Sequence, residues 1–203
     1  MKYTELYNKL EKAGIYVFTL DDVLKIIPSN ANRNVIKQQI SYWKKSGWII
    51  TLKKGLYELV YLRRKVLSDL FIANRLYEPS YVSLETALSY YSIIPEVAMG
   101  VTSVTTKSTR EFRNHYGFFK YRSIVERAYR GYRLVEVQEQ RVKIAEPEKA
   151  FVDYIYFNTK LDLEQSRINT RILKELSKKK VVDYASDFNK VVLSRVEGVY
   201  AEL

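Results

Sequence analysis

The first sixty residues constrain the fold most, because their apolar spacing changes period in a fixed order. Leu6, Leu10 and Ala13 follow Tyr3 at helical spacing, and Gly14 supplies a stop. Thr19-Leu20-Asp21-Asp22 reads as an N-cap with an acid three residues on. Val23, Leu24 and Ile27 form the apolar face of a second helix, which Pro28 ends. The turn Pro28-Ser29-Asn30-Ala31 then leads to Asn32, the cap of a third helix. Beyond that helix, Trp48-Ile49-Ile50-Thr51-Leu52 reads as a strand, Lys53-Lys54-Gly55 as a tight basic turn, and Leu56-Tyr57-Glu58-Leu59 as the return strand. Helix, helix, basic helix and two-stranded wing is the order of a winged helix-turn-helix, expected here over residues 1–62, with duplex DNA as its partner.

The third helix carries the residues of interest. Ile36, Ile40 and Trp43 form a stripe that should face the core. Arg33, Asn34, Lys37, Gln38, Ser41 and Lys44 lie off it, and these are side chains that contact phosphates or read base edges. The helix dipole places positive potential at its Asn32 end. Lys53 and Lys54 at the hairpin tip can reach a neighbouring phosphate run. A polar, basic outer face is also what any solvated helix shows, so the wing adds weight that the helix alone lacks.

Charge agrees in direction. The net charge is +11, and up to Val60 there are 10 Lys/Arg against 5 Asp/Glu, a denser excess than in the remainder. No apolar run approaches the roughly 18 residues of a membrane span. Met1-Lys2-Tyr3-Thr4-Glu5 lacks the apolar core of a signal peptide, so no membrane partner and a cytoplasmic location are expected. With no cysteine and one histidine, disulfides and thiolate or imidazole metal sites are not expected.

Residues 63–203 read as a larger α+β domain whose antiparallel sheet is packed by helices. A helix is predicted from about Val66 to Leu76, followed by a short strand at Tyr81-Val82-Ser83 and a helix capped by Ser83. The period then becomes two over Val101–Thr106, Gly117–Tyr121, Tyr132–Val137 and Arg141–Ile144. Pro147 opens a helix bearing Phe151, Tyr154, Ile155 and Phe157. Two more helices are expected, at about Leu163–Lys178 and Tyr184–Val199. Lys107, Arg110 and Arg113 fall between two strands, as a solvated hairpin loop or as a second basic contact surface for DNA or protein.

Catalysis finds little support. Glu146, Glu148, Lys149 and Asp153 invite comparison with metal-dependent nucleases, but Glu148 and Lys149 are adjacent and precede a helix, where capping and solvation are the expected roles. His115 sits in a polar stretch with no assignable orienting acid or nucleophile. Seven glycines, none clustered, leave no phosphate-cradling motif. No catalytic residue, metal or cofactor is therefore expected. The many tyrosines mostly follow apolar periodicity and read as core.

Several segments, taken in order, resemble one family. They are Gly47-Trp48-Ile49 with Lys54-Gly55-Leu56-Tyr57, the run from Tyr81 to Tyr91, Thr105-Thr106 through Gly117-Phe118-Phe119-Lys120-Tyr121, and Ile144 through Asp153. The family is the AbiEi antitoxins of type IV toxin–antitoxin systems. The resemblance implies a DNA-binding autorepressor that recognises inverted repeats upstream of its own operon and counteracts a nucleotidyltransferase toxin. It implies a monomer or weak dimer, cooperative on DNA, with Arg33, Asn34, Lys37, Gln38 and Ser41 reading the operator and Lys53 and Lys54 as wing contacts. Ser92 stands where the family often has glycine after the tyrosine pair. The alternative is a stand-alone winged-helix regulator whose second domain senses a ligand or mediates oligomers.

Overall fold

In a computed structural model, residues 2–27, 32–63, 65–95, 99–159, 163 and 166–203 are described. The expected turn at residues 28–31 and Arg64 lie outside them. The chain forms two units, Met1–Val66 and Leu67–Leu203, and the protein as a whole is mixed α+β.

In the first unit, α1 (Tyr3–Lys12) buries Tyr3, Leu6, Tyr7 and Leu10 on one face. A short strand, β1 (Val17–Thr19), follows. Thr19 then starts α2 (Leu20–Ile26) with a full capping box: its hydroxyl accepts from the Asp22 N–H, and the Asp22 carboxylate accepts from the Thr19 N–H. Next come α3 (Arg33–Lys45), β2 (Ile49–Lys53) and β3 (Leu56–Leu59). The three strands form an antiparallel sheet in the order β1-β3-β2. A two-stranded wing was expected; β1 adds a third strand because its Val17 and Phe18 fill the core beside β3. Glu58 on β3 is fully buried, and its carboxylate meets the Arg63 guanidinium at 2.8 Å. The Tyr3 hydroxyl lies 3.0 Å from the Trp48 carbonyl oxygen and 2.9 Å from that of Tyr61, tying the start of the unit to its end.

In the second unit, Ser68 caps α4 (Asp69–Leu76) by accepting from the Phe71 N–H. The elements β4 (Ser80–Val82), α5 (Leu84–Tyr90), β5 (Val101–Thr105), β6 (Arg110–Asn114) and β7 (Gly117–Ser123) follow. After them come β8 (Tyr132–Val137), β9 (Gln140–Ala145) and α6 (Pro147–Phe157). The unit closes with α7 (Thr170–Glu175), α8 (Lys178–Ser186) and α9 (Lys190–Glu202). The six strands lie in the order β6-β7-β5-β4-β9-β8. Tyr121 of β7 donates to the Ala73 carbonyl of α4, whereas Tyr81 of β4 donates to Asp153 of α6. The strand register puts those two tyrosines on opposite faces, so α4 and α6 cover opposite sides of the sheet.

Three expectations are corrected here. The sheet is mixed rather than antiparallel, since β5 runs parallel to β7 and β4 runs parallel to β9. The first case arises because β6 lies at the edge and β7 returns between it and β5. Arg110 to Asn114 is that edge strand, not a loop. Residues 164 and 165 of the expected Leu163–Lys178 helix lie outside the described residues, and among the described ones the last helical region is three helices rather than two, because Asn169, Ser177 and Asn189 each cap a new start with a side-chain oxygen.

Ser92 has a conformational role. It follows α5 at φ +57°, the left-handed position where α1 and α3 place Gly14 and Gly47. Its N–H donates to Ser89 and that of Ile93 to Leu88, the paired bonds of a helix C-terminal left-handed cap. Ser92→Gly should therefore stabilise the protein by about 1 kcal/mol, read from urea denaturation, since only the Cβ penalty is removed.

Candidate nucleic-acid interface

Core packing decides which side chains α3 presents. Ile36, Ile40 and Trp43 are buried against the α1 residues Tyr3, Leu6 and Leu10. Asn32, Arg33, Asn34, Lys37, Gln38, Ser41 and Lys44 are consequently all exposed. Asn32 caps the helix, its side-chain oxygen accepting from the Asn34 N–H at 2.9 Å, so one candidate contact is engaged locally. The others divide into two stripes at helical spacing. Arg33, Lys37, Ser41 and Lys44 line a groove of about 550 Å3 together with Lys54 of the β2–β3 turn. Asn34 and Gln38 do not line this groove and lie on the neighbouring flank of α3. Lys53 is half-buried and is not among the lining residues, whereas Lys54 is exposed at the tip.

Four cations thus face one concavity with a hydroxyl between them, and among the described residues no cation in it is held by a buried acid. Its electrostatics contain one opposing charge that the sequence reading missed. Asp21, exposed in the first turn of α2, pairs with Arg33 at 2.9 Å. Both side chains are more than half exposed, so the pair contributes little and can yield to a competing phosphate. The acid pair after Thr19 was a readable helix-start signal, but its reach to Arg33 depends on how α2 and α3 pack. Asp21→Asn should raise affinity for duplex DNA about 2–5-fold at low salt, because it frees Arg33 without removing a cation. Fluorescence anisotropy at matched ionic strength measures it, and unchanged affinity would place Arg33 away from DNA.

The second basic group is divided by the strand that carries it. Lys107 donates to the Glu78 carbonyl at 2.5 Å, and its ammonium lies 5.6 Å from the Tyr77 ring centroid. Arg110 lies 5.8 Å from the same ring. Arg110 pairs across from Tyr121 and Arg113 across from Phe118, so the two arginines point to opposite faces of β6. All three cations are exposed, but they do not form one patch.

Within the Glu146 to Asp153 cluster, Glu148, Lys149 and Asp153 are corrected from solvated to interior, while Glu146 is half-buried. Lys149 and Asp153 are fully buried and Glu148 nearly so. The Lys149 ammonium contacts one Asp153 oxygen; Tyr81 and Ser83 hydroxyls donate to the other at 3.0 and 2.7 Å. The lysine sits over the Phe188 ring at 4.8 Å. Ser83 thus holds α6 with its hydroxyl instead of capping α5. Glu146 faces Lys180, whose hydrogen bond keeps the carboxyl below its ordinary range despite partial burial. Among the described residues no group of three His, Asp or Glu side chains could hold a metal ion. His115 is exposed in the β6–β7 turn. No helix among the described residues is long and apolar enough to cross a membrane.

No protein-family model and no curated protein matches the chain. Its architecture is similar to that in the crystal structure of the RV2827C protein from Mycobacterium tuberculosis. The TM-score is 0.60 at 10% identity, covering 95% of this chain and 73% of that one. At that identity the likeness speaks to the fold alone.

Proposed function

We propose that the protein is a duplex-DNA-binding transcriptional autorepressor whose first unit acts as a winged helix-turn-helix. The observation that carries this reading is the groove between α3 and the β2–β3 turn, where Arg33, Lys37, Lys44 and Lys54 share one space. Its α3 wall has the length and exposed polar face of a helix that enters a major groove, and the Lys54 wall has the position of a wing on the flanking backbone. Asn34 and Gln38 are the amide side chains suited to reading adenine edges. In this reading the protein has no catalytic residues, works in the cytoplasm, and binds inverted repeats upstream of its own operon as a monomer or weak dimer with cooperativity.

The antitoxin role is the further part of the proposal. Its support is the ordered series of AbiEi-like segments, which would set the protein against a nucleotidyltransferase toxin encoded beside it. The stand-alone regulator remains the second reading, favoured by a cavity in the second unit.

Anisotropy titration of the full chain against DNA upstream of its own gene, with scrambled DNA as competitor, tests the first part. Preferential binding with a steep salt dependence is the expected result. Equal affinity for both DNAs would sink sequence-specific repression. Co-expression with a neighbouring nucleotidyltransferase tests the second: rescue of growth is expected of an antitoxin, and continued toxicity would favour the stand-alone regulator.

A further inference from the structure

Along β7 the side chains of Phe118, Lys120 and Arg122 alternate onto one face of the sheet, while Phe119 and Tyr121 are fully buried on the other. Thr102 of β5 stands opposite Lys120. This face is roofed by Leu84 and Glu85 of α5 and by Tyr154 and Phe157 of α6, which leaves a cavity of about 540 Å3. That volume lies within the usual range for small-molecule sites. Gly100 forms part of its wall, and an added Cβ there would lie 2.4 Å from the Phe118 carbonyl oxygen, so the close strand approach requires glycine.

Two cations on an interior strand need a physical reason. The Arg122 guanidinium lies over the Phe157 ring, with its carbon 4.4 Å from the ring centroid. Among the described residues it has no carboxylate partner. Lys120 has only a long contact with Glu111, at 3.9 Å, between side chains that are both partly exposed. The Arg122 guanidinium N–H groups make no hydrogen bond among the described residues, and a guanidinium can hold a phosphate or carboxylate in two parallel bonds. Phe118, Tyr154 and Leu84 line the same cavity and give it apolar and aromatic surface. Glu85, which has no ion pair among the described residues, offers an acceptor for an exocyclic amine.

We infer that this cavity is a binding site for a planar anionic ligand of mononucleotide size, with Arg122 and Lys120 holding the anion and the aromatic wall holding the ring. The site belongs wholly to the second unit and is independent of how the first unit meets DNA.

Isothermal titration calorimetry of the full chain with AMP, GMP, CMP and UMP, each separately, and with inorganic phosphate tests it. At least one nucleotide should give a saturable one-to-one isotherm, with phosphate alone much weaker. Arg122→Ala and Lys120→Met should each weaken binding about 10-fold or more, as expected for loss of a charge-assisted bond. Arg141→Ala, at an exposed position on β9, and Lys37→Ala, on α3, should leave it unchanged. Absence of saturable binding by all four nucleotides would overturn the inference. So would phosphate binding as tightly as the nucleotides, or an isotherm untouched by Lys120→Met in a protein whose circular dichroism matches wild type. Weakened nucleotide binding in Lys37→Ala alone would move the site to the first unit and likewise overturn it.

Discussion

Lys149→Met is expected to destabilise the second unit by about 3–5 kcal/mol, the cost of stranding one member of a buried ion pair. Asp153 would keep the hydroxyls of Tyr81 and Ser83 but lose the one cation it contacts among the described residues. Methionine nearly matches the lysine stem in volume, so the loss would come from charge rather than from a cavity. For a domain of this size the melting temperature should fall by roughly 10–20 °C. The companion Lys149→Met/Asp153→Leu should recover much of that loss, because removing both charges removes the desolvation cost with them. Thermal denaturation of the two variants is sufficient. A single variant as stable as wild type would mean that the Lys149 contact adds no net stability, and that the Tyr81 and Ser83 hydroxyls suffice to hold Asp153.

The paired substitution Lys37→Ala/Lys54→Ala should lower DNA affinity by about 10–100-fold at moderate salt while changing stability by about 0.5 kcal/mol or less per site. Both side chains are exposed on opposite walls of the same groove, and neither takes part in the core. The salt dependence discriminates further. If each lysine neutralises one phosphate, the slope of log K against log salt should become shallower by about 0.9 per lysine, or nearly 2 for the pair. Loss of affinity with an unchanged slope would mean that these lysines position other residues instead of meeting the backbone.

The second and third helices of the first unit were legible because each announced itself twice, by period and by cap. Thr19 with Asp22, Asn32 and Gly14 sit at helix ends as their chemistry requires. The strand β1 was not legible, since three residues squeezed between two helices carry no measurable alternation. In the second unit the strands β5, β7, β8 and β9 showed period two, but that period is blind to which neighbour a strand takes and in which direction. Hence the parallel pairings were invisible, and β6, Arg110-Glu111-Phe112-Arg113-Asn114, offered a single apolar residue, Phe112, too little to show an alternation although that ring packs beside Tyr77 and Tyr121. The candidate groove was half legible. Its α3 wall follows from the stripe opposite Ile36 and Ile40, but Asp21 and the facing of Lys54 depend on tertiary packing. Lys149 was misread because a lysine before a helix is ordinarily solvated, and its buried partner was four residues ahead on the same helix.

The two outer strands of the large sheet also bear on how the protein behaves in crowded solution. Each has a strand neighbour on one side only among the described residues, the position from which sheet-to-sheet aggregation starts. On β6 the exposed Arg110, Glu111 and Arg113 stand along that border, and on β8 the exposed Arg133 and Glu136 flank Leu134. An incoming strand would have to strip water from a charge at nearly every second position. Charges that look like binding determinants on β6 therefore have a second occupation as fences, and substitutions that neutralise them in search of lost binding would also open the sheet to self-association.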